Sequence, residues 1–216
     1  MADRLATRIH KRPAYTHFRG LRKRSAPPDL QRTSLPGPVS ILDEAALRKA
    51  VQRMGRELVA QNGGTDNLVL IGIQRRGVHI SALLQEAIAE AEGVEVPIGT
   101  LDITFYRDDL GTVGPLPVVG SSHLPAGGIE GQAIALVDDV LFSGRTTRAA
   151  LNELTDWGRP SRIFLAVLID RGGRELPIQP DVVGTRVEAL PGQRVDVLVP
   201  ELDGSLGAVL SDREDA

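Results

Sequence analysis

Residues 133–147 read Ala133-Ile134-Ala135-Leu136-Val137-Asp138-Asp139-Val140-Leu141-Phe142-Ser143-Gly144-Arg145-Thr146-Thr147. Five apolar residues in a row, Ala133 to Val137, suit a strand covered on both faces. Two carboxylates follow at the end of that strand. Ser143 to Thr147 then make a turn of small residues into a helix marked by Thr147, Ala150, Leu151, Leu154 and Trp157, with Gly158 and Pro160 to stop it. An ionised carboxylate only accepts hydrogen bonds, so the pair suits a vicinal diol. Unpaired backbone N–H groups, hydroxyls and the helix dipole at the turn favour a phosphate. Gly144 has no side chain to keep the backbone from the anion. Diol acceptors a few residues from a phosphate cradle describe a site for a ribose 5-phosphate.

Other uses of an acidic pair fit less well. A P-loop NTPase needs G-x-x-x-x-G-K-[ST], and this chain has lysine only at Lys11, Lys23 and Lys49. A response-regulator pocket also needs a later lysine, and its acids lie nearer the start of the domain. A purely structural turn accounts for an isolated Asp-Asp, but not for the strand, acids, turn and helix together.

Outward from this stretch the same alternation continues. Asp43 caps a helix carrying Leu47, Ala50, Val51, Met54 and Leu58, which Asn62-Gly63-Gly64 ends. Asn67 to Ile73 is a second apolar run. Ile80, Leu83, Leu84, Ala87, Ile88 and Ala91 mark another helix, and a strand is expected from about Val96 to Tyr106. Arg107 to Gly131 lacks periodicity and reads as a functional loop. Arg162 to Ile169 is a further strand ending in an acid, Asp170. Val182-Val183, Val195 to Val199 and Ala208 to Leu210 read as short strands. Strands alternating with helices imply an α/β fold with a parallel sheet, its ligand beyond the carboxyl ends of the strands. Gln74–Gly77, Asp138–Thr146 and Asp170–Arg174 would share that rim.

Composition narrows the classes. The 216 residues are 42% hydrophobic and 25% charged, as in an ordinary globular domain. No apolar run approaches the roughly 18 residues of a membrane span, and the first residues lack the apolar core of a secretory signal. Cysteine is absent, which excludes disulfides, thiolate metal sites and cysteine nucleophiles and fits the cytoplasm. The net charge of −3 hides an asymmetry: residues 1–38 hold nine Lys or Arg against two Asp, and the remainder 16 basic against 26 acidic residues. With Pro13, Pro27, Pro28, Pro36 and Pro38, the opening reads as a flexible basic arm. It is either a solubilising leader or an electrostatic contact with RNA or another polyanion. The expected organisation is an arm over 1–38, a folded domain over 39–211 and an acidic tail over 212–216. His10, His17, His79 and His123 show no metal-ligand spacing.

Residues 134–146 resemble the binding motif for phosphoribosyl pyrophosphate (PRPP) of type I phosphoribosyltransferases. Ile41-Leu-Asp-Glu44, Leu101-Asp-Ile-Thr-Phe-Tyr-Arg-Asp-Asp-Leu110, Gly158-Arg-Pro160 and Leu168-Ile-Asp-Arg-Gly-Gly-Arg-Glu-Leu-Pro-Ile178 narrow the resemblance to the PyrR family, bifunctional pyrimidine-operon regulators and uracil phosphoribosyltransferases. It spans roughly residues 40–210. It implies a mainly parallel sheet with flanking helices, a flexible loop and a small C-terminal hood.

Carried over by residue, Asp138 and Asp139 hold the ribose hydroxyls and Ser143 to Thr146 cradle the 5-phosphate, within the binding segment Ile134 to Thr146. Arg75, Arg76 and Gly77 bind pyrophosphate. Arg107 is a catalytic candidate in Phe105–Asp109, which opens the loop that closes over PRPP. Asp170, Arg171, Val182 and Val183 belong to the hood and base pocket, and Arg53, Arg56 and Arg174 to an RNA-facing surface. The resemblance also implies Mg²⁺ held mainly by PRPP, UMP formed from uracil, an mRNA leader as partner, and a homodimer or higher homo-oligomer. A regulator with little transferase activity and a purine-base transferase are the alternatives. Arg75 stands where the family has Thr, Gly173 where it has His, Val182 where it has an aromatic ring, and Gln52 and Arg56 where it has Thr and His.

Overall fold

The computed structural model describes residues 37–104 and 121–212. The basic arm up to residue 36, the Phe105–Asp109 segment with Arg107, and residues 213–216 of the acidic tail lie outside the described residues.

A first short strand, β1 (Val39–Leu42), leads into α1 (Glu44–Asn62). There the Asp43 carboxylate accepts the Ala46 N–H at 2.8 Å and Gly63 closes the helix in the left-handed region at φ 80°. β2 (Leu68–Ile73) is buried throughout and is followed by α2 (Arg76–Glu92). β3 (Ile98–Leu101), β4 (Ala133–Leu141), α3 (Arg145–Trp157), β5 (Arg162–Asp170) and β6 (Val182–Arg186) complete the main unit. Its sheet runs β3-β2-β4-β5-β6 with every pairing parallel. Along β4, Ala133, Ala135 and Val137 enter the core under α1 and α2. Ile134 and Leu136 enter a second core under α3. This is the pattern of a strand covered on both faces.

β7 (Gln193–Leu198), the short α4 (Pro200–Asp203) and β8 (Gly207–Asp212) follow. A second sheet, β1-β8-β7, is antiparallel. The hood is therefore not purely C-terminal: β1, from the other end of the domain, forms one of its edges. Val182-Val183, expected as a short strand, forms with Gly184 to Arg186 the fifth strand of the main sheet.

Two strand boundaries differ from expectation. β3 ends at Leu101 rather than near Tyr106, because the Asp102 carboxylate takes both the N–H and the hydroxyl of Thr104 and turns the chain. β4 continues past the acids to Leu141, since Asp138 and Val140 keep their parallel register with Val167 and Ile169. No helix among the described residues is long and apolar enough to cross a membrane.

Candidate functional site

The carboxyl ends of β2, β4 and β5 bring Gln74–Gly77, Asp138–Thr146 and Asp170–Arg174 to one rim, as in other parallel α/β sheets. Two glycines set the spacing there. A Cβ on Gly77 would lie 2.6 Å from the Val137 carbonyl oxygen and 3.2 Å from the Asp138 Cα. A Cβ on Gly72 would meet the Val78 Cα at 2.6 Å and the Gly77 carbonyl oxygen at 2.7 Å. The first turn of α2 thus lies directly on β2 and β4, and the Arg75-Arg76 turn sits beside the acid pair. A glycine inside an apolar strand run is itself a sign of close backbone approach.

Asp138 is 6% exposed. Burial pushes its carboxyl well above the ordinary carboxylate range, and the neighbouring Asp139 charge adds to the rise. The backbone N–H of Asp139 donates to Asp138 Oδ1 at 3.0 Å, and that of Val140 to Asp139 Oδ1 at 2.8 Å. Asp139 is only half-buried. The pair therefore holds one shielded and one accessible acid, with acceptor positions left for hydroxyl donors.

Beyond Phe142 the chain turns at Gly144, whose φ of 92° places it in the left-handed region ahead of α3. The N-cap position, Gly144, has no side chain to cap the helix, so its first-turn N–H groups face the turn. Ser143 Oγ accepts the Arg145 N–H at 3.3 Å. The turn is braced from behind: the Glu175 and Leu176 N–H groups both donate to the Ser143 carbonyl, and Ile178 packs on Gly144. Arg145 itself is taken up by Glu175 at 2.7 Å. Backbone N–H groups and hydroxyls, more than this guanidinium, make the nest.

The pyrophosphate candidates differ from one another. Arg75 is exposed at the start of α2, after a cis Gln74–Arg75 peptide. Arg76 Nη2 is held by Asp203 of α4 at 2.9 and 3.2 Å, a partner without any local signal. Backbone and Arg76 hydrogen bonds hold the Asp203 carboxyl below its usual range. Next to this pair, His79 Nδ1 lies 3.2 Å from Glu201.

In the hood segment, the Arg171 guanidinium stacks 4.0 Å over the Phe142 ring and donates to the Gln193 carbonyl at 3.1 Å. Asp170 Oδ1 binds Arg174 at 2.7 Å and accepts the Gly172 N–H. Gly173 sits at φ 75° with the Phe142 ring where a side chain would begin, so a histidine does not fit there in this arrangement.

Two sequence expectations fail. Arg174 does not face outward: only 16% exposed, it donates to the Phe142 carbonyl at 2.8 Å and the Ile178 carbonyl at 3.0 Å besides pairing with Asp170. It pins the hood segment to the chain entering the phosphate turn, because its fork reaches several carbonyls at once. Arg174→Ala should therefore lower stability by about 3 kcal/mol, by breaking a largely buried ion pair; thermal melts read the loss. Val182 is fully buried in the core with Met54 and Phe164, so it offers no wall to a base; Val183 packs on the other core. Arg53 and Arg56 remain on the exposed face of α1, where Arg53 reaches the Gly184 carbonyl and lies 3.8 Å from Glu57.

Comparison with known proteins identifies the family and the fold. Residues 39–199 match the phosphoribosyl transferase domain family. The bifunctional protein PyrR of Herpetosiphon aurantiacus is 48% identical over 178 residues, which cover 82% of this chain and 99% of that protein. That of Thermus thermophilus is 48% identical over 176 residues, 82% and 97% of the two chains. Among solved structures, a hypoxanthine phosphoribosyltransferase from Trypanosoma cruzi superposes with a TM-score of 0.62 at 20% identity, over 81% of this chain and 94% of that one, which supports the fold. With nearly half its residues shared along nearly the whole length of those relatives, this chain belongs to the PyrR family of phosphoribosyl transferase domain proteins.

Proposed function

We propose that this chain transfers the phosphoribosyl group of PRPP to uracil, giving UMP and pyrophosphate, and that it regulates pyrimidine-operon expression by binding an mRNA leader in response to UMP. The observation that carries the transferase half is the acid pair of β4, one acid buried and one accessible, lying one turn before the nest at Gly144, with the α2 turn pressed alongside. Both named functions follow the bifunctional relatives.

In this reading Asp138 and Asp139 take the ribose hydroxyls, and Ser143 to Thr146 take the 5-phosphate. Arg75 and Arg76 meet the pyrophosphate, whose charge grows as it leaves. Asp170 and Arg171 line the approach of the base. Uracil N1 attacks C1, the N1–C1 bond forms as the C1–O bond to pyrophosphate breaks, and the N1 proton is released. No protein nucleophile is needed; holding the reactants in line is the main contribution.

Mg²⁺ fits this arrangement as a companion of the substrate. No three His, Asp or Glu side chains gather into a metal cage among the described residues, and Mg²⁺ commonly binds through substrate phosphates and water. When bound it would neutralise diphosphate charge, with Asp139 the accessible carboxylate beside it.

A panel of radiolabelled bases with PRPP tests the transferase half. Uracil should be converted at least about 100-fold faster than hypoxanthine or adenine, a discrimination well within what a hydrogen-bonding pocket supplies. Preferred use of a purine would install the alternative enzyme. For the RNA half, a leader hairpin should bind more tightly with UMP and more weakly with added salt. Equal affinity for scrambled RNA would reduce that binding to general charge. Arg53 and Arg56 on α1 are the candidate contacts. The reading further places the protein in the cytoplasm as a homodimer or higher homo-oligomer.

A further inference from the structure

We propose that Glu153 is a positioning residue which, through Ser122, holds the pyrophosphate turn at a set distance from the phosphate nest. The proposal rests on the reading that these two places grip opposite ends of one PRPP molecule.

Glu153 lies on α3, the helix whose first turn forms the nest, and is 6% exposed within the second core beside Leu154. An apolar side chain would occupy such a place without desolvation cost, whereas a buried carboxyl must be justified by its partners. Burial raises its pKa, and hydrogen bonds from Ser122 and Trp157 oppose the rise.

Ser122 joins two elements. Its hydroxyl donates to Glu153 Oε1 and accepts the Asp102 N–H at 2.9 Å, just beyond the end of β3. The residues just before Asp102 and Ser122 both reach the pyrophosphate turn. The Leu101 carbonyl accepts the Gln74 N–H at 2.9 Å, and the Ser121 carbonyl accepts Gln74 Nε2 at 3.1 Å. A paired bridge between Thr100 and His123 locks the two segments together, with N···O distances of 2.8 and 2.9 Å. A continuous chain of hydrogen bonds thus runs from α3 through Glu153, Ser122 and the end of β3 to Gln74, the residue that opens the Arg75-Arg76 turn. Neither Glu153 nor Ser122 belongs to the acid pair, the nest or the Arg75-Arg76 turn, so their effect passes through the residues they hold.

Two grips on one ligand act as linked sites, and their joint affinity depends on how well their separation matches the ligand. PRPP needs both grips. UMP engages the nest, the acid pair and the base approach but not the turn, and inorganic pyrophosphate only the turn. Loosening the link should therefore weaken PRPP selectively, whereas a general loss of structure would weaken all three.

The test measures PRPP, UMP and pyrophosphate binding by titration calorimetry for the full chain and for Ser122→Ala, Glu153→Leu, their double variant and Glu153→Gln. Leucine fills the volume without accepting the hydroxyl, and glutamine keeps an acceptor at Oε1. Ser122→Ala and Glu153→Leu should each bind PRPP about tenfold more weakly, with UMP and pyrophosphate held within about twofold. The double variant should lose no more than the worse single variant, as expected for two halves of one interaction. Glu153→Gln should return PRPP affinity to within about threefold of wild type. If Glu153→Leu does not fold, Ser122→Ala carries the same comparison. Unchanged PRPP affinity in Ser122→Ala, or UMP weakened in step with PRPP, would overturn the proposal. A wild-type chain that does not bind PRPP at all would instead sink the underlying reading, and the proposal with it.

Discussion

The Asp138→Asn, Asp139→Asn double variant should lose PRPP binding by at least about 100-fold. A hydrogen bond to the accessible Asp139 carboxylate contributes about 1.5–3 kcal/mol and one to the buried Asp138 carboxyl about 1 kcal/mol, and about 1.4 kcal/mol is a factor of ten. The neutral amides also present N–H donors to hydroxyls that would otherwise donate to carboxylates. Titration of PRPP into both proteins checks this, and affinity equal to wild type would show that the ribose lies elsewhere.

The same variant should be more stable than wild type without ligand. Burial holds the Asp138 carboxyl above its unfolded value, with the Asp139 charge second. An acid raised in the folded state contributes stability below its unfolded pKa, and that contribution is lost as pH rises through the folded value. The wild-type protein should therefore weaken as pH climbs out of the ordinary carboxylate range, then level off above Asp138's raised pKa. The amide variant lacks this loss, so its advantage in melting temperature should widen with pH over that interval. A variant less stable than wild type at neutral pH would mean that the two acids support the unliganded fold.

The second large effect is expected at Gly77, where the obstruction is backbone. Gly77→Ala places a methyl 2.6 Å from the Val137 carbonyl oxygen and 3.2 Å from the Asp138 Cα, atoms that belong to the central strand and cannot rotate away. Relief requires α2 to lift from β4, which carries the Arg75-Arg76 turn away from the acid pair. Overpacking of this kind costs about 1–3 kcal/mol, and a shift of about 1 Å in reacting groups can lower turnover about 100-fold. Gly127→Ala is the control: nothing lies within 4 Å of its added methyl and its φ is not positive, so it should stay within about 0.5 kcal/mol of wild type. Melting curves and UMP formation by both variants decide the matter. A fully active Gly77→Ala enzyme would show that this contact does not set the site.

Much of the main sheet was legible along the chain because each of its parts has a short-range signature. Apolar runs at 68–73, 133–137 and 162–169, separated by helices with 3.6-residue periodicity, imply parallel strands covered on both faces. Asp43, Gly63 and Gly144 carry their caps and turns within a few residues. The acid pair and the nest lie within one strand-turn-helix unit, so their proximity needs no tertiary information. The rim then follows from the direction of parallel strands.

What the linear pattern could not contain is the identity of distant partners. β1 pairs with β8 across the whole length of the domain, a register that no local periodicity encodes. Arg174 reads as surface charge until the carbonyls of Phe142 and Ile178 surround it, and Val182 could face either side until the sheet assigns it to the core with Met54. Asp203 on Arg76, Ser122 on Glu153 and the Val137 carbonyl over Gly77 are likewise contacts between segments far apart in sequence. Hydrophobic periodicity and capping are short-range properties of neighbouring residues. Which buried polar group finds which partner, and how close two backbones come, is settled only when the elements pack.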